Sequence, residues 1–431
     1  MDAMPSDERA DQECCMIQPF TILAERFWPD VHGGVETRLF HMARELAQRG
    51  IVVNVLTERR SDAPPREELM PGLFVRRFAR MDCGRLWRWR NLVRVQWWRR
   101  NLHDCLSDAG HIWATHPASA LAVIALGHRD RLIYNPAACT AGMRHIFRVH
   151  PHITTMRMPH HLCVLDRLAY RLSHRTIVSS RNLARQFTCF YGVHDRPPAV
   201  LPLAARTADL AVLPNRSSAR RRWNLPDDGL VLGYVGRLDP CKGIDVLLEA
   251  MASQPLRSTT RLLLVGEGPD EARLRTLVDQ LHLSRHVIFT GRLDDPSHAY
   301  SAIDLLAMPS HYEAFGLAAV EAMAMGVPVL APRGNDRDTL TAFDEIIEHE
   351  RTGWLVDANH PAALATVIHA LERAPGQCRL LGDNARRQMS QRSWRQYVSE
   401  CLEMLTSSHD VGNTSTAPLA SIAAHARSTA A

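Results

Sequence analysis

A strand-and-helix alternation that runs through the chain twice constrains its fold more than any other feature. Phe20-Thr-Ile-Leu-Ala24 is a short apolar run, the mark of a strand buried on both faces. Gly33 and Gly34 lie in the loop behind it. Leu39, Phe40, Ala43, Leu46 and Ala47 then recur at helical spacing until Gly50 stops the helix. Ile51-Val-Val-Asn-Val-Leu56, rich in β-branched residues, is the next strand. Strand, helix and strand in that order form a βαβ unit, which builds parallel sheets with helices on both faces.

The alternation restarts after Arg196-Pro-Pro-Ala-Val-Leu-Pro202 and a basic stretch from Asn215 to Arg222. Strands are predicted at Leu230–Val235, Arg261–Val265, Val287–Phe289, Leu305–Met308, Val327–Leu330 and Trp354–Val356, with a helix over Ile244–Ala252. A length of 431 residues also favours more than one core. The expected fold class is therefore α/β, with two Rossmann-like domains facing across a cleft. Residues 1–16 are a polar leader, 17–205 the first domain and 206–390 the second. Residues 391–407 form a helix that packs back on the first domain, and 408–431 are a disordered tail.

Composition narrows the partners. Lys and Arg number 51 against 46 Asp and Glu, a net charge of +5, which suits anionic small ligands or a membrane surface without requiring nucleic acid. The ten cysteines include no C-x-x-C pair and no zinc-like cluster. They read as small buried hydrophobes in a reducing compartment, with Cys14 and Cys15 the pair to check for reactivity. The first 16 residues lack a basic start and an apolar core, so they are not a secretory signal. The longest apolar stretch, Ala118 to Leu126, is far short of the roughly 18–20 residues of a membrane span. The expected location is cytoplasmic, which leaves room for peripheral contact with the inner face of a membrane.

In doubly wound sheets ligands bind beyond the carboxyl ends of the strands, so the loops there carry the chemistry. Gly236-Arg237-Leu-Asp-Pro-Cys-Lys242-Gly243 leaves one such strand. Its two cations, five residues apart, suit a diphosphate: arginine grips oxygens bidentately and lysine supplies a mobile point charge. The same pair could also be a solvated basic turn. The segment Met308 to Pro328 runs from a strand through a loop to a helix beginning near Gly316. First-turn amides of that helix make an anion site. Glu313 precedes it, and Glu321 lies about 7–8 Å along the axis at about 1.5 Å per residue. Neither carboxylate binds phosphate, but both can accept hydrogen bonds from sugar and ribose hydroxyls. Glu321 has apolar neighbours, so it needs a partner.

Glu313 and Glu321, with Phe315-Gly316 between them, resemble the E-x7-E motif of the retaining family 4 glycosyltransferases, which have the GT-B fold. Gly236-Arg237 with Lys242-Gly243 is similar to the diphosphate loop of that family. Leu264-Val-Gly-Glu-Gly-Pro269, Phe289-Thr-Gly-Arg292, Asp304 with Pro309-Ser310, Glu345-Ile-Ile and Thr352-Gly-Trp-Leu-Val356 follow the family order. Phe27 to Thr37, with Gly33, Gly34 and Glu36, resembles its N-terminal P-x3-G-G-x-E loop.

The resemblance implies a donor side in the second domain and an acceptor side in the first. Arg237 and Lys242 would hold the pyrophosphate. Phe315, Gly316 and Leu317 would offer amides to the distal phosphate or the sugar. Glu321 would hold the ribose and Glu313 the sugar hydroxyls, while Arg292 lies near the base. His116, in Ala114-Thr-His-Pro117, matches a cleft histidine, and a buried structural role stays open beside the catalytic one. The implied reaction is metal-independent and front-face. The leaving phosphate helps deprotonate the acceptor, and Glu313 is a positioning group.

Two departures stand out. Asn135 occupies the place of a further histidine and cannot accept a proton as imidazole can. The loop from Arg333 to Asp344 is longer and more polar than the family's Gly-Gly-x-x-Glu, which puts donor choice in doubt. Its Asp336-Arg-Asp338 is too short a pattern, in the wrong fold, to mark a metal site. The function expected is transfer of a hexose-type sugar from a UDP- or GDP-sugar to a glycan, lipid-linked or small-molecule acceptor. The alternatives are a catalytically weak sugar-nucleotide binder serving a partner enzyme, or a sugar-nucleotide epimerase.

Residues 76–100 stand apart, with nine arginines, four tryptophans and Asp82 as the one acid. Such a stretch suits an anionic membrane surface or an anionic lipid-linked acceptor. It could equally be a solvated helix with its tryptophans packed inward. No nucleic-acid-binding motif accompanies it.

Overall fold

The computed structural model describes residues 18–30, 33–60, 62–82, 84, 89–153, 158–205, 215–253, 255–357 and 359–406. The leader with Cys14 and Cys15, the residues Trp87 and Arg88, and the tail after 407 lie outside the described residues.

The first half opens β1 (Phe20–Ala24), α1 (Gly34–Gln48), β2 (Val53–Glu58), β3 (Arg66–Met70) and β4 (Leu73–Phe78). It continues α2 (Arg90–Leu102), β5 (His111–Ala114), α3 (Pro117–Ala125), β6 (Leu132–Tyr134) and α4 (Thr140–Val149). It closes with α5 (His160–Leu172), β7 (Arg175–Val178), α6 (Arg181–Tyr191) and β8 (Ala199–Val200). The second half has α7 (Arg216–Arg221), β9 (Val231–Val235), α8 (Ile244–Ala252), β10 (Arg261–Val265), α9 (Glu271–Gln280) and β11 (Val287–Gly291). Then come α10 (Ser297–Ala302), β12 (Leu305–Ala307), β13 (Tyr312–Glu313), α11 (Leu317–Ala324), β14 (Val329–Pro332) and β15 (Leu340–Thr341). The last elements are β16 (Gly353–Val356), α12 (Pro361–Arg373), α13 (Gly376–Met389) and α14 (Trp394–Thr406).

The protein is α/β, with two Rossmann-like sheets. The first runs β3-β4-β2-β1-β5-β6-β7-β8 and the second β11-β10-β9-β12-β14-β16, while β13 and β15 pair apart. Counted from β9, the second order reads 3-2-1-4-5-6, the doubly wound order whose ligands sit where the winding reverses. Every residue of β1 and β9 is buried, as expected for strands covered on both faces. The strands predicted for the second half all form, with ends shifted by two residues at most.

α14 packs back on α1. The rings of His41 and Trp394 stack with centroids 5.4 Å apart, and Arg49 donates to Ser399 Oγ at 3.0 Å. Among the described cysteines, 139, 163, 241, 378 and 401 are buried, and none of the seven is disulfide-bonded.

The edge pair β3–β4, antiparallel, was not predicted. Its strands are heavily charged, which hides the alternation that marks a half-buried strand. Arg77, within the basic stretch, proves fully buried. It donates to both carboxylate oxygens of Asp30, at 2.7 and 3.2 Å, and meets Glu67 at 2.9 Å. The same stretch divides further along α2. Trp98 is 1% exposed and edges onto Phe78, whereas Trp89 is 56% exposed.

Candidate active site at the switch points of the two sheets

The winding of the second sheet reverses between β9 and β12, so the loops leaving those strands face one cleft. Gly243 ties them together. Its φ is +63°, and a Cβ there would lie 2.0 Å from the carbonyl oxygen of Pro309. Only glycine allows so close an approach. The contact brings Lys242 Nζ to 2.7 Å from Glu313 Oε2 and 3.4 Å from the Tyr312 carbonyl. Burial works against the Lys242 charge, but the Glu313 carboxylate outweighs it and the ammonium is pushed up to about 12. Lys242 and Glu313, assigned to phosphate and sugar in the sequence, are thus already paired with each other.

α11 starts at the same loop. Gly316 is its N-cap at φ +104°, and a Cβ there would strike the Phe343 ring at 2.8 Å. Phe315 is buried behind it, and Leu317 opens the helix; the Ala319 and Val320 amides share the Gly316 carbonyl, at 3.0 and 3.2 Å, which leaves the amides of Leu317 and Ala318 ahead of them to face the cleft. Glu321 is half-buried one turn further along and accepts from the Tyr300 hydroxyl at 2.9 Å. Tyr300 is the partner that the sequence required without naming. Gly236 ends β9 at φ +152°. Arg237 and Arg292 lie at the rim, 58% and 47% exposed, facing Asp239 at 3.3 Å and Asp294 at 3.4 Å.

In the first sheet the winding reverses between β1 and β5. Gly33 caps α1 with its carbonyl, which accepts from Thr37 N at 2.9 Å, and Gly34 begins the helix in open space. The Glu36 carboxylate folds back over Gly33, and burial raises its pKa. His116 follows β5 and caps α3: its Nδ1 accepts from Ala118 N at 3.1 Å. The ring proton is therefore on Nε2, which faces Glu25 Oε1 at 3.4 Å. Burial holds His116 below the usual imidazole value despite that carboxylate. With Nδ1 spent on the cap and Nε2 facing a carboxylate, His116 has the geometry of the structural role that the sequence left open beside the catalytic one. Glu25 also meets Arg94 of α2 at 2.6 Å. Sequence reasoning passed over Glu25, although it directly follows the strand that ends at the switch point.

Asn135 is 3% exposed and spends its side-chain amide on the Ile177 carbonyl at 2.7 Å, so it supports β7 and does not line the cleft. The two halves meet across the cleft through Tyr312, whose hydroxyl accepts from Cys139 N at 2.8 Å. Asp338 is engaged inside its own turn, accepting from Asn335 Nδ2 and Thr339 Oγ1 at 3.0 Å each.

The chain matches the Glycosyltransferase Family 4 model over residues 32–208 and the Glycosyl transferases group 1 model over residues 215–388. A D-inositol 3-phosphate glycosyltransferase of Acidothermus cellulolyticus is 30% identical over 382 residues, spanning 79% of this chain and 78% of that relative. Sucrose-phosphate synthase from Thermosynechococcus elongatus superposes with a TM-score of 0.75 at 22% identity, covering 90% of this chain and 98% of that one. HepE of Anabaena, solved with UDP-glucose, superposes with a TM-score of 0.68 at 21% identity, covering 90% and 100%. With its two facing Rossmann-like sheets and these matches, the chain belongs to the family 4 glycosyltransferases of the GT-B fold.

Proposed function

We propose that the protein is a retaining glycosyltransferase that moves a hexose-type sugar from a UDP- or GDP-sugar to an acceptor hydroxyl without a metal ion. The observation that carries this reading is the Lys242–Glu313 pair, 2.7 Å apart, beside the N-terminus of α11. A diphosphate laid across the first-turn amides would face Lys242 on one side and Arg237 at the rim, two cations for the charge that develops as it leaves. Glu321, with Tyr300 fixing one oxygen, would take the ribose hydroxyls. The loop before α1 would bring a second helix N-terminus to the diphosphate from the first sheet. Arg292, at the end of β11, would lie by the base.

A carboxylate paired this closely with an ammonium accepts hydrogen bonds well but is a weak nucleophile, which favours Glu313 as a positioning group. His116 spends Nδ1 on the Ala118 amide, and Asn135 carries no imidazole and spends its amide nitrogen on the Ile177 carbonyl, so no base from the first sheet is assigned. In the front-face reaction the acceptor oxygen bonds to the anomeric carbon as the bond to phosphate oxygen breaks. The electron pair leaves with the nucleoside diphosphate, and its departing oxygen takes the acceptor proton.

The Acidothermus relative is named for D-inositol 3-phosphate and HepE was solved with UDP-glucose, so these head the panel of acceptors and donors. The expected result is release of UDP or GDP with an acceptor gaining one hexose, read by mass, and with the anomeric configuration of the donor kept. Donor binding without release would instead make the protein a sugar-nucleotide binder, and sugar inversion without an acceptor would make it an epimerase.

We place peripheral contact with an anionic membrane on the face shared by α2 and α5. Val164, Leu168 and Leu172, at i, i+4 and i+8, form an exposed stripe on α5 beside the exposed Arg167 and Arg171. At its N-terminal end His161 lies 6.3 Å from the ring of Trp89, and Leu92 stands exposed one turn beyond. Asp166, the one acid between 131 and 194, is buried. No helix among the described residues is long and apolar enough to cross a membrane, so this contact would be peripheral. Each surface arginine is worth about 1 kcal/mol on an anionic bilayer. Arg167→Ser with Arg171→Ser is then expected to weaken partitioning onto anionic vesicles by about 30-fold. Unchanged sedimentation would remove the contact from this face.

A further inference from the structure

The N-terminus of α6 belongs to the first sheet's layer, yet its first two amides are satisfied from the second. Arg181 N and Asn182 N donate to Oε2 and Oε1 of Glu345 at 2.8 and 2.6 Å. Leu183 N donates to the hydroxyl of Ser180 at 3.0 Å, and that hydroxyl donates onward to the carbonyl of Ala314 at 2.6 Å. Ala314 stands between Glu313 and Phe315, to which the proposed function gives the sugar hydroxyls and the distal phosphate. Glu345 is not a surface carboxylate that happens to reach across. It ends the 3-10 turn Phe343–Glu345, whose Phe343 is fully buried against Gly316.

The long loop before it is held in the same way. His145 of α4 and His150 at its C-cap donate from Nε2 to the carbonyls of Arg337 and Asp338, at 2.6 and 2.7 Å. Leu340, Tyr312 and Ala314 are buried in the core of the first half, among residues of α4 and α6. The segment that departs most from the family pattern is thus the one that grips the other half.

We propose that the N-terminus of α6 is a seat for the reactive loop. Docking Glu345 on the Arg181 and Asn182 amides lets Ser180 take the Ala314 carbonyl and set Glu313 for transfer. Glu345 and Ser180 are then positioning residues, and the proposal rests on the glycosyl-transfer reading above. Donor affinity stays with Lys242 and α11, outside the seat, so the seat acts on turnover.

Two measurements decide it. Glu345→Gln offers one carbonyl oxygen to two amides, and small-angle scattering is expected to show a larger radius of gyration than in the wild type. An unchanged curve overturns the seat. Ser180→Gly keeps most of the helix cap but has no hydroxyl to donate. It is expected to lower kcat by about 100-fold, the cost of a reacting group displaced by about 1 Å, with donor affinity and melting temperature near wild type. Ser180→Thr, which restores the hydroxyl, should recover most of the rate. Wild-type kcat in both Glu345→Gln and Ser180→Gly, or a fall in donor affinity equal to the fall in kcat, overturns the proposal. If the wild type itself turns over no donor, the transfer reading falls, and the scattering comparison still rules on the seat.

Discussion

Lys242→Met is expected to lower kcat/KM for the nucleotide sugar by about 1000-fold, the upper range for removing one preorganised charge from a reacting centre. Methionine keeps the length of the stem but leaves Glu313 without the ammonium 2.7 Å away. The half-buried carboxylate would then repel the diphosphate that the lysine had drawn in, so the variant loses an attraction and gains a repulsion. Arg237→Ala should cost far less, about tenfold, because that side chain is 58% exposed and its field is screened by water.

The two losses separate in a cross. Lys242→Met with Glu313→Gln removes the repulsion and should regain donor binding, while turnover stays low because nothing neutralises the departing phosphate. With its pKa raised to about 12 by Glu313, Lys242 stays charged through neutral pH and sets no alkaline limit there. Titration of donor together with initial rates checks both statements. A single Lys242→Met variant within tenfold of wild-type kcat/KM would show that the pair does not face the diphosphate.

Much of this site was legible because it follows from period and punctuation. The apolar runs of β1 and β9 fix the sheets, the sheets fix the switch points, and the loops after Ala24, Ala114, Val235 and Ala307 hold the candidate site residues. Gly243 and Gly316 were visible as glycines, but the reason for each is a backbone or a ring brought close by the fold. What stayed hidden depends on partners far along the chain. The tyrosine that holds Glu321 is 21 residues upstream, and the amides that hold Glu345 lie more than 160 residues before it. His116 matches a cleft histidine by resemblance, and the sequence leaves a structural role open beside it. The same position makes it an N-cap, and an imidazole accepting there from Ala118 N has spent its lone pair. In the basic stretch, composition alone could not separate Arg77, sunk among carboxylates, from the cations that meet solvent.

Asp304→Ala should produce the largest stability loss in the second half, about 3–5 kcal/mol, the cost of leaving a buried charge without its partner. Asp304 stands before β12, at the edge of the sheet opposite the cleft, where it pairs with Arg216 and Arg220 and accepts from Val231 N at 2.8 Å. The side chain of Arg220 is 1% exposed. Its other donors go to the carbonyls of Ala302, Pro226 and Asp227 at 3.0, 2.7 and 2.9 Å, so it cannot swing out to water without breaking all three.

Burial already holds the Arg220 guanidinium below its usual pKa, and Asp304 is the main group opposing that shift. At about 2–4 °C per kcal/mol for a domain of this size, melting should fall by about 10 °C. The rate per folded molecule, measured well below that transition, should stay near wild type, because the edge is remote from Lys242 and Glu313. Asp304→Leu with Arg220→Met removes both charges and should recover only part of the loss, since it avoids the unpaired charge but leaves Val231 N and three carbonyls without their partners. A melting point unmoved by Asp304→Ala would mean that the three carbonyls alone satisfy Arg220, and that the ion pair adds nothing to the sheet edge.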